Sequence, residues 1–212
     1  MDFWQWLLIV FASVITLVLI VFLYAPLRRI YYEKNLVKIY YKNVKKIAYY
    51  KDFYLINQLI LNVDDNQQIH IDHLLFADKY IYVIFDRFYP GKLSGKPEDE
   101  SLLFAFGHGR KQRLPVVVDN PLKQNRTRIA KLSLLTGLDL DLFISVVLVN
   151  DDGDFLDIKN EKKMDYIVQR KYFYKLIDNI EKRPLSPINP RQLQEAVQSI
   201  ARLNQRDLLK KK

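Results

Sequence analysis

The sequence predicts an α/β (α+β) protein: one N-terminal transmembrane helix, then a domain built on a mixed central sheet flanked by helices. Three observations predict it. From Phe3 to Leu27 no residue carries a charge, although charged residues make up 27% of the 212-residue chain. Beyond Tyr50 the order is short strand-like runs, a capped helical segment, then a continuous apolar run, the pattern of layered helices and sheet. At roughly 150 residues per domain, the length allows one domain and an appendage.

A bilayer core of about 30 Å needs about 20 apolar residues, and FWQWLLIVFASVITLVLIVFLY, Phe3 to Tyr24, supplies them. Trp4 and Trp6 at one end and Tyr24 at the other match an interfacial aromatic belt. Ser13 and Thr16 can bond back to helix carbonyls. A cleaved signal peptide would begin with a basic stretch, and only Asp2 precedes this run. Arg28, Arg29, Lys34 and Lys38 follow it, so the positive-inside rule places the N-terminus outside and residues 26–212 in the cytosol. Pro26 is expected to limit continuation of the helix without a kink. The anchor is thus residues 1–27.

Residues 28–50 read as a basic, amphipathic juxtamembrane helix, with Leu36, Val37, Ile39, Tyr40, Val44 and Ile47 as its apolar positions. Within 51–160, strands are expected at Tyr54–Val63, Ile69–Ala77 and Tyr80–Phe88, with Asp64 to Asn66 as a turn. Pro90 to Glu98 reads as a loop. Leu102–Phe106 and Pro115–Val118 flank the polar loop GHGRKQR. Asn120-Pro121 starts a helix that Gly137 closes, and Phe143–Val149 has the character of a strand buried on both faces. In 161–212, helices are expected over Asp165–Ile180 and from Pro190 to about Asn204, before a basic tail.

Composition excludes several functions. With no cysteine there is no disulfide scaffold, thiol nucleophile or cysteine-ligated metal. No Rossmann glycine pattern, HExxH or Ser–His–Asp context occurs, and the 107–113 loop lacks a P-loop's Gly-Lys-Ser/Thr ending. Lys plus Arg number 33 against 24 Asp plus Glu, a net charge of +9, which favours anionic partners.

Three blocks resemble the nuclease-related domain, NERD, a branch of the PD-(D/E)XK nuclease-like superfamily. Gln68 to His73 (QIHIDH) is similar to that family's q-I-D-H strand. Tyr82 to Gly91 lies where the family has v-I-E-x-K-n followed by glycines, and Asn120 to Asn125 (NPLKQN) resembles N-P-x-x-Q-n at a helix start. The resemblance spans roughly residues 30–150. It implies a restriction-endonuclease-like sheet and ancestry in phosphodiester hydrolysis, in which carboxylates hold Mg²⁺ and a lysine supports the attacking water.

This chain departs from that pattern. Asp72 is kept, but Phe85 stands at the Glu position and Arg87 at the Lys position. Asp86, one residue away, is expected on the opposite strand face unless a bulge re-aims it. Glu33 matches the family's helical glutamate, with Tyr32 before it in place of the usual Gly. The resemblance therefore implies catalytic candidates Asp72, Asp86 and Arg87, metal candidates Asp72 and Glu33, and a degenerate site. His70 and Asp72, at i and i+2, could ligate a metal, but no third ligand is identifiable. Candidate nucleic-acid or phosphate contacts are Arg87, Gln124, Arg126, Arg128, Arg110 and Lys111, the helical ones near a start whose dipole favours anions.

The reading is a membrane-anchored, cytosolic NERD-like domain acting as a non-catalytic binding or scaffolding module, with nucleic acid as a candidate partner and no cofactor. The alternatives are a divergent Mg²⁺-dependent nuclease and a structural membrane protein whose basic face engages anionic lipid. The lipid bilayer is a partner in each. A protein partner is not identifiable.

Overall fold

The computed structural model describes residues 2–64, 67–107, 114–155 and 164–204. The chain divides into two compact units, Met1–Ile39 and Tyr40–Lys212. A single helix, α1 (Phe3–Lys51), supplies all the described residues of the first except Asp2 and opens the second. It runs through Pro26, where the sequence predicts a limit. Proline's fixed φ of about −65° is a helical value, so the ring removes one hydrogen bond without forbidding the turn. In the first unit Phe3–Tyr24 has a mean hydropathy of 3.0 and is long and apolar enough to cross a membrane. The Ser13 and Thr16 hydroxyls donate to the carbonyls of Ile9 and Ala12. Trp4, Trp6, Tyr24 and Arg28 are exposed, and Arg29 lies in the same helix.

In the second unit, Tyr40, Val44, Ile47 and Ala48 are buried along one stripe of α1, spaced as a helix face must be. The last turns of the segment expected to lie at the membrane surface are therefore core. Then come β1 (Tyr54–Asp64), β2 (Gln67–Phe76) and β3 (Ile81–Arg87). Next are β4 (Gly91–Ser94), β5 (Ser101–Phe106), β6 (Val116–Asp119) and helix α2 (Pro121–Thr136). After it lie β7 (Phe143–Val149) and β8 (Asp165–Gln169), a 3₁₀ turn Arg170–Tyr172, α3 (Phe173–Glu181) and α4 (Pro190–Leu203). One sheet has the order β1-β2-β3-β7-β8 and the other β4-β5-β6. Pairs β3–β7 and β7–β8 are parallel, while β1–β2 and β2–β3 are antiparallel. This is the expected mixed sheet flanked by helices.

Two elements differ from expectation. Pro90 to Glu98 contains β4, paired with β5; a Cβ at Gly91 would run into the Ala105 carbonyl, so glycine permits that approach. The expected Asp165–Ile180 helix begins with β8 instead. Its Tyr-Ile-Val centre favours a strand, and β7 offers a parallel edge. Helical spacing starts only with buried Phe173, Ile177 and Ile180.

Alternation along β3 assigns the two faces of the main sheet. Ile81 and Val83 join the core cluster of Ile129 and Leu132 from α2 and Ala196 and Ile200 from α4. On the other side the Tyr82 hydroxyl donates to Glu181 of α3 at 2.5 Å, and His73 stacks with Tyr41 of α1. Asn120 orients α2. Its side-chain oxygen accepts from the Leu122 N–H, and its amide donates to the Pro97 and Asp99 carbonyls. Because Asn120 is fully buried, Asn120→Ala should remove both a cap and buried hydrogen bonds, costing on the order of 2–4 kcal/mol. A shift of the denaturant midpoint checks this.

Candidate functional site

Strand β3 carries the residues at which the family pattern is altered, and its alternation is regular there. Phe85 faces α2, packing with Leu122, Val147 and Val149 at 3% exposure. Its ring lies between two guanidiniums, one against each face: Cζ of Arg87 is 3.4 Å and Cζ of Arg128 is 3.8 Å from the centroid. Such stacking suits arginine's flat, weakly hydrated cation. Burial pushes both guanidiniums down from their ordinary value, and Asp72 opposes that shift in each. Arg87 Nη1 donates to the Asp86 carbonyl at 3.0 Å and Nη2 reaches Gln124 Oε1 at 3.4 Å. Gln124 in turn donates to Asp119 at 3.1 Å. Arg128 Nε donates to the His70 carbonyl, and its Nη1 is buried with no hydrogen-bond partner.

Asp72 is half-buried, and its carboxylate accepts the Asp86 N–H at 2.9 Å. An irregularity sits beside it. The β1–β2 ladder skips the Gln58–Asp72 pair, Gln58 has φ 51°, and Ile69 and Ile71 share a core with Leu74 and Phe76. Side-chain alternation therefore slips on β2 at Asp72–His73. The bulge-like device that could re-aim a side chain lies beside Asp72 and not on β3.

Asp86 points to the α1 face. Its Oδ2 lies 2.9 Å from His73 Nε2, and His73 Nδ1 lies 2.5 Å from Asn57 Oδ1. The Asp86 Oδ1 is buried without a hydrogen-bond partner. Burial pushes the Asp86 carboxyl up to about 6, with His73 acting against the rise and Asp72 adding to it. Above this pair the Tyr40 hydroxyl donates to the Arg87 carbonyl at 3.0 Å. Among the described residues, no three His, Cys, Asp or Glu side chains gather in a way that could hold a metal.

The arrangement is one seen in part from the sequence. Residues 31–150 match the model of the nuclease-related domain, NERD, over more than half of the chain. The chain belongs to the NERD family. A solved structure described as "Protein of Unknown Function AF1548" is similar at 13% identity, over 76% of this chain and 78% of that one, with a TM-score of 0.38. No curated protein matches.

Within this NERD domain the site residues separate into groups. Arg87, Gln124, Arg128 and Asp72 come together beside Phe85. Asp86 lies across the sheet. Arg126 points elsewhere, forming an ion pair with Asp165 at 2.9 Å. Glu33 is an exposed residue of the first unit. His70 is exposed, and it contributes its carbonyl to Arg128. Arg110 and Lys111 lie outside the described residues, as do 65–66 of the expected turn and the basic tail. Sequence reasoning missed Asn125, which is buried and ties α2 to the sheet through the Val83 carbonyl and the Ser145 hydroxyl. It closes the NPLKQN block, so the motif itself was the signal. The partners Asn57 and Tyr41 carried no signal, because only folding brings them to His73.

The raised Asp86 carboxyl has a definite sign. Between its ordinary value of 3.8 and about 6, the folded chain holds a proton that the unfolded chain has released. Stability from this group is therefore present at low pH and lost as pH rises through that window, by on the order of 2–3 kcal/mol. Asp86→Asn should flatten that part of the stability profile, as read by denaturant midpoints from pH 4 to 7.

Proposed function

We propose that this protein is a single-pass, membrane-anchored NERD domain, cytosolic in orientation, that binds nucleic acid through its phosphate backbone without hydrolysing it. The observation that carries the reading is the Phe85 ring, sandwiched between two guanidiniums where a metal-binding glutamate is expected. The residues present do not fit Mg²⁺. Hard cations need several oxygen ligands, and Asp72 here shares its carboxylate with a backbone N–H and has two arginines as electrostatic neighbours. A phenyl ring supplies no ligand, and the Asp86 carboxylate is engaged with His73 on the other face. The degenerate site thus keeps its positive charge and lacks a centre for activating water.

Guanidiniums are suited to phosphate because their flat fork of N–H donors matches two phosphate oxygens. Arg128 Nη1, buried beside Phe85, has no hydrogen-bond partner. The net charge of +9 supports attraction to a polyanion. Membrane anchoring is supported by the apolar Phe3–Tyr24 helix and the arginines that follow it.

The full-length chain in nanodiscs, titrated with labelled DNA and RNA, tests the binding. Arg87→Ala and Arg128→Ala should each weaken it about tenfold and lower the salt slope by about one. Incubation with Mg²⁺ or Mn²⁺ should leave both nucleic acids intact. Cleavage that Asp72→Ala abolishes would establish the divergent nuclease instead, and binding to neither strand type would favour the anionic-lipid reading. Because the chain has no cysteine, single cysteines at Asp2 and Lys182 report topology. An impermeant maleimide on intact cells should label only the first.

A further inference from the structure

A cavity of about 460 Å³ opens between the last turns of α1, the 3₁₀ turn Arg170–Tyr172 and the start of α3. It lies on the α1–α3 side of the sheet, whereas Phe85 and its two arginines face α2. No carboxylate is among its lining residues. Lys46 and Lys171 line it, and among the described residues neither has an acidic partner. Arg170 also lines it, but that guanidinium is neutralised by Asp151.

Apart from Ile47, the remaining lining is aromatic and amide. Tyr50 and Tyr174 are 68% and 48% exposed, so their rings are accessible to a planar group. Lys46 Nζ sits 5.7 Å from the Tyr50 centroid, and Lys51, paired with Asp178, sits 5.4 Å from that of Tyr174. The Tyr50 ring is thus beside an ammonium without an acidic partner, and the Tyr174 ring beside one that Asp178 neutralises. Asn43 lines the same cavity, and its Oδ1 is buried with no donor. Such an atom calls for an N–H or O–H from a ligand or from water.

We propose that this cavity binds one nucleotide unit, a base with its phosphate. The phosphate meets the two unpaired ammoniums, the base stacks on Tyr50 and Tyr174, and an exocyclic amine donates to Asn43 Oδ1. Cations beside aromatic faces are the combination that holds nucleotides without a long sequence-reading groove. The volume lies within the range of small-molecule sites. A free nucleoside monophosphate and one nucleotide of a single strand present the same chemistry. The proposal does not rest on the Arg87–Arg128 reading, since none of those residues lines the cavity.

Calorimetric titration of the full-length chain in zwitterionic nanodiscs tests it. AMP or CMP should bind at least tenfold tighter than adenosine, cytidine or inorganic phosphate alone, and UMP, lacking the amine, should be weaker. Lys46→Gln and Tyr50→Ala should each lose about tenfold. Both side chains are exposed, and an unchanged melting temperature verifies the fold. A single-stranded hexanucleotide forms a second arm: binding by it and not by AMP, still lost in Tyr50→Ala, assigns the nucleotide unit to a strand. The proposal is overturned if neither arm binds, if phosphate alone competes as well as AMP, or if both variants bind like the parent. It is equally overturned if only phosphatidylglycerol vesicles compete for Lys46. Loss of oligonucleotide binding in Arg87→Ala and Arg128→Ala bears on the other site alone, so the two ideas fail separately.

Discussion

A strand residue can serve one face of its sheet only, and the alternation of β3 organises everything around it. Val83, Phe85 and Arg87 turn toward α2, while Tyr82, Ile84 and Asp86 turn toward α1 and α3. On one side this places an aromatic ring between two cations. On the other it buries a carboxylate against a histidine. Because β3 lies at the centre of the five-stranded sheet, with β2 antiparallel on one edge and β7 parallel on the other, a one-residue slip would turn hydrophobic side chains out of both cores at once. That constraint keeps Asp86 out of the site beside Phe85.

The two faces carry different electrostatic consequences. Arg87 and Arg128 are partly withdrawn from water, yet each retains favourable company: an aromatic face, a nearby carboxylate at Asp72, and carbonyl oxygens. The cost of burying two like charges is offset locally. Asp86 has less compensation. Burial and the nearby Asp72 charge outweigh the His73 contact, so its proton is held more tightly than usual, and one of its oxygens lacks a hydrogen-bond partner. The α1 helix closes over this second face through Tyr40 and Tyr41, so the segment that leads from the apolar helix also packs against the core of the NERD domain.

Much of the fold was legible from local chemistry. The Asn120-Pro121 start and Gly137 end of α2 appear as a capped helix with an αL glycine, because capping depends on residues within one turn. The apolar run of β7, broken only by Ser145, appears as a strand buried throughout. Legibility failed where the partner decides. β4 needs the Ala105 backbone beside it, and β8 is a strand because β7 offers an edge. The Asp72 region slips because two strands are irregular together.

For the site, the residue types in the three motif blocks, and the identity of the altered positions, were set by the sequence alone. So were the length and apolarity of Phe3–Tyr24, properties of covalent order that need no partner. Tertiary structure decided which candidates meet. It gathered Arg87, Arg128, Gln124 and Asp72, gave Arg126 to Asp165, and set Asp86 against His73. It also brought Tyr50 and Tyr174 to one cavity across more than a hundred residues of chain. Distances of that kind depend on how strands pair and which way helices pack back on them, and no local pattern of residues contains either.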